Sequence, residues 1–274
     1  MTPGECADST PWHDPSMPDA VIHRPPTHPH RWWFWLIASQ LLVAIVWLRL
    51  GWQVGLPLMV ATHLPFWWGV LWPYSRFYGP VLSRLPGDAP HVWLTIDDGP
   101  SDDTLELLDV LDAHQAKATF FLVARRAAVR PELVRAVIER GHDIGNHSNS
   151  HPQAWFWALG PRRMRGEITH AQDTLTQLSG RAPRWFRAVV GMSNPFVQAP
   201  LRDLGLARVA WSVRGFDGVD RSADAVVARI GPGLVPGAIV LLHEGGRDGR
   251  HVEILRRVLA ALSERGLCAP LPEA

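Results

Sequence analysis

The sequence predicts an α/β domain, a parallel sheet covered by helices, set behind one or two transmembrane helices. Three observations carry this expectation. From Trp32 to Pro73 the only formally charged residue is Arg49. Beyond Pro90, short apolar runs alternate with amphipathic segments; such strand–helix alternation implies a parallel sheet, either a barrel or an open doubly wound sheet. The polar residues of greatest chemical interest stand where predicted strands end, the usual location of a barrel active site.

Residues 1–30 are rich in Pro, His and Asp without apolar periodicity and predict a disordered polar tail. Residues 31–74 follow as a membrane hairpin. A bilayer core takes about 20 apolar residues per helix, so the run divides into spans near 32–48 and 52–72, with Arg49-Leu50-Gly51 at the turn. Pro57, His63 and Pro65 predict a second span that is kinked, partly re-entrant or interfacial. His63 itself reads as a polar residue tolerated within a helix pair. Eight of the 14 tryptophans fall between Trp32 and Trp72, which points to a membrane interface. The run starts too late and is too long for a cleavable signal peptide. Arg24, Arg31, Arg76 and Arg84 flank the hairpin, against Arg49 at its turn. The positive-inside rule then places both ends in the cytoplasm of a bacterium, at its inner membrane.

After a connector over 75–90, Val92–Ile96 reads as a strand ending at an Asp pair. Ser101 or Asp102 can cap a helix running to about His114, with Leu105, Leu108, Val110 and Leu111 on its apolar side. A strand over 118–123 follows, then a helix from Pro131 to Arg140, with Pro at a first-turn position that tolerates it. The strand 143–146 delivers His147. Helices over 161–178, 198–204, 222–230 and 251–265 alternate with strands over 184–187, 208–213 and 238–242. The domain closes at 268, leaving 269–274 as a short tail.

A net charge of +1 over 274 residues implies no strong pull toward nucleic acid. Cys6 and Cys268 offer neither a disulfide framework nor a metal-binding spacing, which fits a reducing compartment.

Thr95-Ile96-Asp97-Asp98-Gly99 followed by His147-Ser148-Asn149-Ser150-His151 is the most informative pairing in the chain. A Lewis-acid metal needs oxygen and imidazole ligands, and the water it activates needs a nearby base that is not itself a ligand. If Asp98 joins His147 and His151 on the metal, Asp97 remains free to take a proton.

These residues resemble the polysaccharide deacetylase family, also called the NodB-homology domain or carbohydrate esterase family 4. The resemblance covers residues 91–268, roughly two thirds of the chain. The family's first motif, TFDDG, appears as TIDDG, and its second, H-[ST]-x-x-H, is complete as HSNSH. The third survives in outline as Phe186-Arg187-Ala188-Val189-Val190-Gly191, and the fourth is degraded to Arg214-Gly215-Phe216-Asp217-Gly218. The fifth, L-x-H, is intact as Leu241-Leu242-His243. The resemblance implies an incomplete or distorted (β/α) barrel, choosing between the two sheet topologies that periodicity leaves open.

It also implies roles. Asp98, His147 and His151 would hold a divalent ion, with zinc the default for mixed nitrogen and oxygen ligands. Asp97 would be the general base and Arg187 the cation that orients it. His243 would protonate the departing amine, with Asp217 holding it and raising its pKa. Leu241 would line the pocket for a small acyl group, and the Val190 backbone N–H would serve as an oxyanion donor. Ala188-Val189-Val190 lacks the family's groove-wall prolines and aromatic residue, Gly218 replaces a tryptophan, and Arg214 replaces an acid. Intact catalytic parts beside altered sugar-facing parts imply the same hydrolysis on an atypical substrate.

The expected function is therefore a membrane-anchored, metal-dependent hydrolase that removes an N-acetyl or N-formyl group from an amino sugar, one carried by a membrane lipid. An O-acetyl esterase acting on a glycan, and a non-catalytic membrane protein with a decayed sugar cleft, are the alternatives. Trp155-Phe156-Trp157 and Met192, Pro195 and Phe196 follow the second and third motifs. They would either form core or make an apolar rim facing lipid.

Overall fold

The computed structural model describes residues 22–219, 222–246 and 249–272. Helix α1 spans Arg31–Leu50 and α2 spans Trp52–Leu71, joined at Gly51, whose φ of 79° lies in the left-handed region. Both helices are long and apolar enough to cross a membrane. Each has 20 residues, and at 1.5 Å per residue that matches a hydrocarbon core of about 30 Å. Pro57 and Pro65, from which the sequence expects a kinked, partly re-entrant or interfacial segment, both lie inside the single helix α2. His63 donates its Nδ1–H to the Met59 carbonyl at 2.7 Å, a partner within its own helix.

After the hairpin the chain alternates strand and helix: β1 (Trp93–Gly99), α3 (Thr104–Ala113), β2 (Ala118–Leu122), α4 (Ala124–Val129), α5 (Pro131–Glu139), β3 (Asp143–Asn146), α6 (Pro161–Ser179) and β4 (Trp185–Phe186). It continues with α7 (Gln198–Asp203), β5 (Ala207–Arg208), β6 (Val213–Arg214), α8 (Ala223–Ile230), β7 (Ile239–His243) and α9 (Arg250–Glu264). The strands form one seven-stranded sheet in the order β5-β4-β3-β2-β1-β7-β6. Every pairing in it is parallel. The sheet curls into an incomplete (β/α) barrel, as expected.

Alternation along the strands divides the core in two. Leu94, Ile96, Phe120, Leu122, Ile144, Val240 and Leu242 face outward into the layer of helices. Trp93, Phe121, Trp185, Ile239 and Leu241 face inward and fill the barrel. The same period turns Thr95 and Asp97 inward above Trp93, so the alternation that fills the interior also aims the first functional carboxylate.

The structure departs from expectation in several places. The single strand expected over 208–213 is two short strands on opposite edges of the sheet: β5 pairs with β4, whereas β6 pairs with β7. The residues between them cross the open side of the barrel. There Leu82 of the connector pairs with Val209, and Arg84 pairs with Ala238. The apolar side of α3 includes Leu107 rather than Leu105, which is 46% exposed. Ile22, within the stretch expected to be a solvated tail, is buried in the barrel interior. His23 rests its ring against Trp185 and donates its Nε2–H to the Arg184 carbonyl at 3.1 Å. Cys268 is disulfide-bonded, although the sequence offers no disulfide framework. The chain's one other cysteine, Cys6, lies outside the described residues.

The hairpin packs directly on the domain. Phe196 sits edge-on to Trp32 at 5.7 Å between ring centres, and Trp157 lies 5.9 Å from Trp67. Tyr78 donates its hydroxyl to the Phe66 carbonyl at 2.9 Å, and the Ser193 N–H donates to the Val70 carbonyl at 3.1 Å. The two apolar clusters that the sequence leaves open therefore divide. Phe156 is core against Phe186, Trp157 and Phe196 receive the hairpin, and Trp155 is exposed.

Candidate active site

Two adjacent strand residues ordinarily point to opposite faces, so Asp97 and Asp98 should not share a site. A bulge resolves this. The register between β1 and β2 shifts between Asp97 and Gly99, and Asp98, at φ 73°, is the residue left over. Bulges of this kind re-aim a side chain, and here both carboxylates reach one cleft. Gly99 is required immediately afterwards: a Cβ there would stand 1.8 Å from Glu244 Oε1. The Glu244 carboxylate accepts from Ser101 Oγ at 2.8 Å and from Thr104 Oγ1, tying the loop after β1 to the residue after β7. Burial pushes the Glu244 carboxyl up to about 7, against the pull of these hydroxyls.

His147 follows β3, and its loop is held from several sides. Asn146 Oδ1 accepts from the Ser148 N–H at 3.0 Å, and Ser148 Oγ accepts from the His151 N–H at 3.1 Å. Glu167 of α6 accepts from the N–H groups of Asn149 and Ser150. Ser148 and His151 both take positive φ, 70° and 52°. Backbone strain of this sort persists only where the surroundings over-determine it.

His147 Nδ1 lies 2.9 Å from the Arg187 carbonyl. A carbonyl cannot donate, so Nδ1 carries the proton, and in the neutral ring Nε2 is a bare lone pair. That lone pair faces Asp98 Oδ1 at 3.6 Å, and His151 Nε2 faces the same oxygen at 2.9 Å. Asp98 Oδ1 is buried without a hydrogen-bond partner. Lone pairs converge in this way only if positive charge lies among them, as protons on the imidazoles or as a cation. Burial alone would raise the Asp98 carboxyl, but the two imidazoles outweigh it and hold the group below the usual carboxylate range. The ligand atoms of Asp98, His147 and His151 all lie within 4.8 Å of one another. Two imidazoles and a carboxylate with open positions suit a divalent ion, and the Nδ1–H···O=C bond of His147 is the usual outer support for such a ligand. The donor set fits a metal.

Arg187 is fully buried behind this cluster. Its Nη1 donates to Asp97 Oδ1 at 2.8 Å and to Thr95 Oγ1 at 2.7 Å, and its Nη2 donates to the Ala210 carbonyl at 2.9 Å. Its guanidinium lies 4.2 Å from the centre of the Phe121 ring. Burial pulls the guanidinium down from its ordinary value, opposed by the Asp97 charge. On the opposite wall, His243 Nδ1 donates to Asp217 Oδ1 at 2.9 Å, and Asp217 Oδ2 accepts the His243 backbone N–H at 2.7 Å. Burial lowers the His243 pKa, but the Asp217 charge and hydrogen bond outweigh it and raise the group to about 9.

Asp97, Asp98, His147, His151, Val190, Asp217, Leu241 and His243 line a single cleft of 170 Å³. The structure thus brings together every residue that the sequence marks, with Arg187 immediately behind. Sequence reasoning missed Thr95, Glu167, Trp211 and Glu244. Thr95 was within reach, because it precedes Asp97 by two on a strand and so shares its face. Glu167 and Glu244 act on loops distant in sequence and carry no local signal.

Comparison with known proteins places this arrangement. A chitooligosaccharide deacetylase of Sinorhizobium fredii is 36% identical over 207 residues, covering 69% of this chain and 93% of that protein. The chain belongs to the polysaccharide deacetylase family. The family's own model matches residues 84–209, from the connector through β5. A peptidoglycan-N-acetylglucosamine deacetylase of Bacillus cereus is 32% identical over 207 residues, covering 74% of this chain and 71% of that protein. Among solved structures, a family 4 carbohydrate esterase from Streptomyces lividans, in complex with acetate, superposes with a TM-score of 0.61 at 32% identity. That match covers 67% of this chain and 93% of the esterase. The family model's match begins at residue 84, after both helices of the hairpin.

Proposed function

We propose that this chain is a membrane-anchored, metal-dependent hydrolase that removes an N-acetyl or N-formyl group from an amino sugar carried by a membrane lipid. The observation that carries the reading is the convergence of two imidazole Nε2 atoms on the unpartnered Asp98 Oδ1, with Asp97–Arg187 on one side and His243–Asp217 on the other. The family's chitooligosaccharide and peptidoglycan deacetylases, and the acetate held by the Streptomyces lividans esterase, support an N-acetylated amino sugar.

A divalent ion held by Asp98, His147 and His151, with zinc the default for this donor set, would polarise the acyl carbonyl and acidify a water molecule. Arg187 engages Asp97 Oδ1, which leaves Oδ2 to accept the proton of the attacking water. Val190 and Leu241 both line the cleft; the Val190 backbone N–H would serve the developing oxyanion, and Leu241 would bound the space for the acyl methyl group. Asp217 fixes His243 through Nδ1, so Nε2 delivers the proton to the departing amine. A group raised to about 9 is protonated at neutral pH and ready to act as that acid.

Membrane anchoring is supported by two exposed 20-residue apolar helices with tryptophans at both ends, Trp32, Trp33, Trp35, Trp67 and Trp68 at one and Trp47 and Trp52 at the other. The flanking arginines favour a cytoplasmic domain. The disulfide at Cys268 weighs the other way, because such bonds persist in oxidising compartments. A reporter active only outside the inner membrane, fused after Ala274, decides the face: strong activity there reverses the arginine-based placement. The activity itself is tested by mass spectrometry of lipid-linked sugars from cells with and without the intact gene. Accumulation of an N-acylated lipid-linked sugar in cells lacking the gene is expected, and identical lipid profiles would sink the reading.

A further inference from the structure

We infer that Arg214 binds the phosphate through which the amino sugar is joined to its membrane lipid. The inference rests on the deacetylase reading of the same cleft and names the group that selects its substrate.

Arg214 lies on the cleft wall with the catalytic residues, on β6 directly beside Leu241 of β7. It is exposed, and among the described residues no carboxylate pairs with it. Its guanidinium is nevertheless held in place. Its central carbon lies 3.9 Å from the centre of the Phe216 ring and 5.4 Å from that of Trp211. Phe216 adopts φ 62°, an uncommon conformation for so bulky a residue, and one that places its ring against the guanidinium. Stacking engages the flat face of a guanidinium and leaves its N–H edge free, the edge that matches a phosphate in a bidentate pair. The cleft otherwise presents the carboxylates of Asp97, Asp98 and Asp217. Each of these already has a positive partner, in Arg187, the proposed ion and protonated His243, so Arg214 is the cation of the cleft wall left to meet an anionic substrate.

The aromatic contacts around Arg214 continue toward the membrane. Trp211 meets Tyr74 at 6.1 Å, and Tyr74 meets Trp72, immediately beyond α2, at 5.4 Å. A Cβ on Gly191, which lines the cleft, would stand 3.0 Å from Pro73 and 2.5 Å from Trp211. One layer of side chains therefore separates the cleft from the end of the hairpin, where a lipid headgroup would lie. A phosphate at Arg214 has its sugar in the cleft and its lipid tail along this aromatic track. A neutral soluble glycan uses neither feature.

The test uses the full chain in detergent micelles and three substrates. These are N-acetylglucosamine joined through phosphate to a short prenyl chain, the octyl glycoside of N-acetylglucosamine, and N-acetylglucosamine 1-phosphate. The wild type should favour the prenyl phosphate over the octyl glycoside by about 10–100-fold in kcat/KM, the range expected for a charge-assisted hydrogen-bonded contact. Arg214→Gln should collapse that ratio toward one, and Arg214→Lys should keep part of it. A ratio unchanged in Arg214→Gln, or a wild type that prefers the neutral glycoside, overturns the inference. Turnover of the 1-phosphate equal to that of the prenyl phosphate would assign the anion to a soluble sugar phosphate and overturn the lipid half. If the wild type releases amine from none of the three, the deacetylase reading is what fails. Binding of the prenyl phosphate substrate to wild type and Arg214→Gln then tests the anion contact alone, and equal affinities would reject it.

Discussion

The two walls of the cleft are built by opposite means. The wall that carries Asp97, Asp98, His147 and Arg187 is over-determined: a bulge, two positive-φ residues, a buried guanidinium and the Glu167 clamp each fix it. The wall from Arg214 to Val219 is more open: Gly215 and Asp217 are buried, while Arg214, Phe216, Gly218 and Val219 are exposed to solvent. The candidate metal ligands and the base sit on the more tightly fixed wall, and the acid pair His243–Asp217 on the more open one. Two of the departures from the family's motifs, Arg214 and Gly218, fall on the second wall, and the third, Ala188-Val189-Val190, follows Arg187 on the first.

Four experiments break or sharpen the contrast. The largest effect is expected from changing His147 and His151 together to Ala, which should reduce bound divalent metal from a single ion per chain to near zero and abolish turnover. Elemental analysis showing equal metal in variant and wild type would remove the metal centre from the account. Asp97→Asn should retain the metal and lose about 10²–10⁴-fold in kcat, the usual worth of a positioned acid or base; near-normal turnover would require another base. Arg187 keeps an acceptor in the amide oxygen, so this variant should fold.

The third experiment reads pH. His243 is raised to about 9 in the folded chain, so its acid form, and activity, should be lost as pH rises through about 9. Its contribution to stability has the same sign: present in full below the unfolded value of about 6.5 and lost as pH rises through the folded one. Asp217→Asn removes the charge that sustains the shift, so the alkaline limb of kcat/KM should move toward 6.5. An unmoved limb would mean that another group titrates. The smallest effect belongs to the open wall. A Cβ on Gly218 would meet the His243 ring at 3.6 Å, an ordinary contact. Gly218→Trp should therefore fold normally and alter KM on neutral glycans by about 2–10-fold, the worth of one aromatic contact. A loss of thermal stability instead would show that the second wall is as constrained as the first.

The sequence disclosed the rigid wall far better than the open one. Strand 143–146 and the helix starting at Pro161 stand where the periodicity predicts them, because each strand is buried on both sides and each helix has one apolar face. The expected strand over 208–213 failed because its alternation is real but serves two edges of a curled sheet, and curl leaves no mark on local pattern. Leu105 and Leu107 differ only in which side of α3 meets the sheet, a question settled by long-range packing. Arg214 was noticed in sequence only as the replacement of an acid. Its stacking on Phe216 depends on a left-handed residue that no propensity would propose.

The place of β7 between β1 and β6 also orders events during synthesis. Asp97, Asp98, His147, His151 and Arg187 all emerge before the last third of the domain, whereas His243 arrives on a strand that must slot into the middle of a sheet begun much earlier. Such non-local pairing is the slow kind, since a long loop must close before contacts reward it. A chain that has not yet added β7 contains Asp97 and the Asp98–His147–His151 set but lacks His243. Under the proposed mechanism, hydrolytic competence is therefore withheld until β7 is seated beside β1.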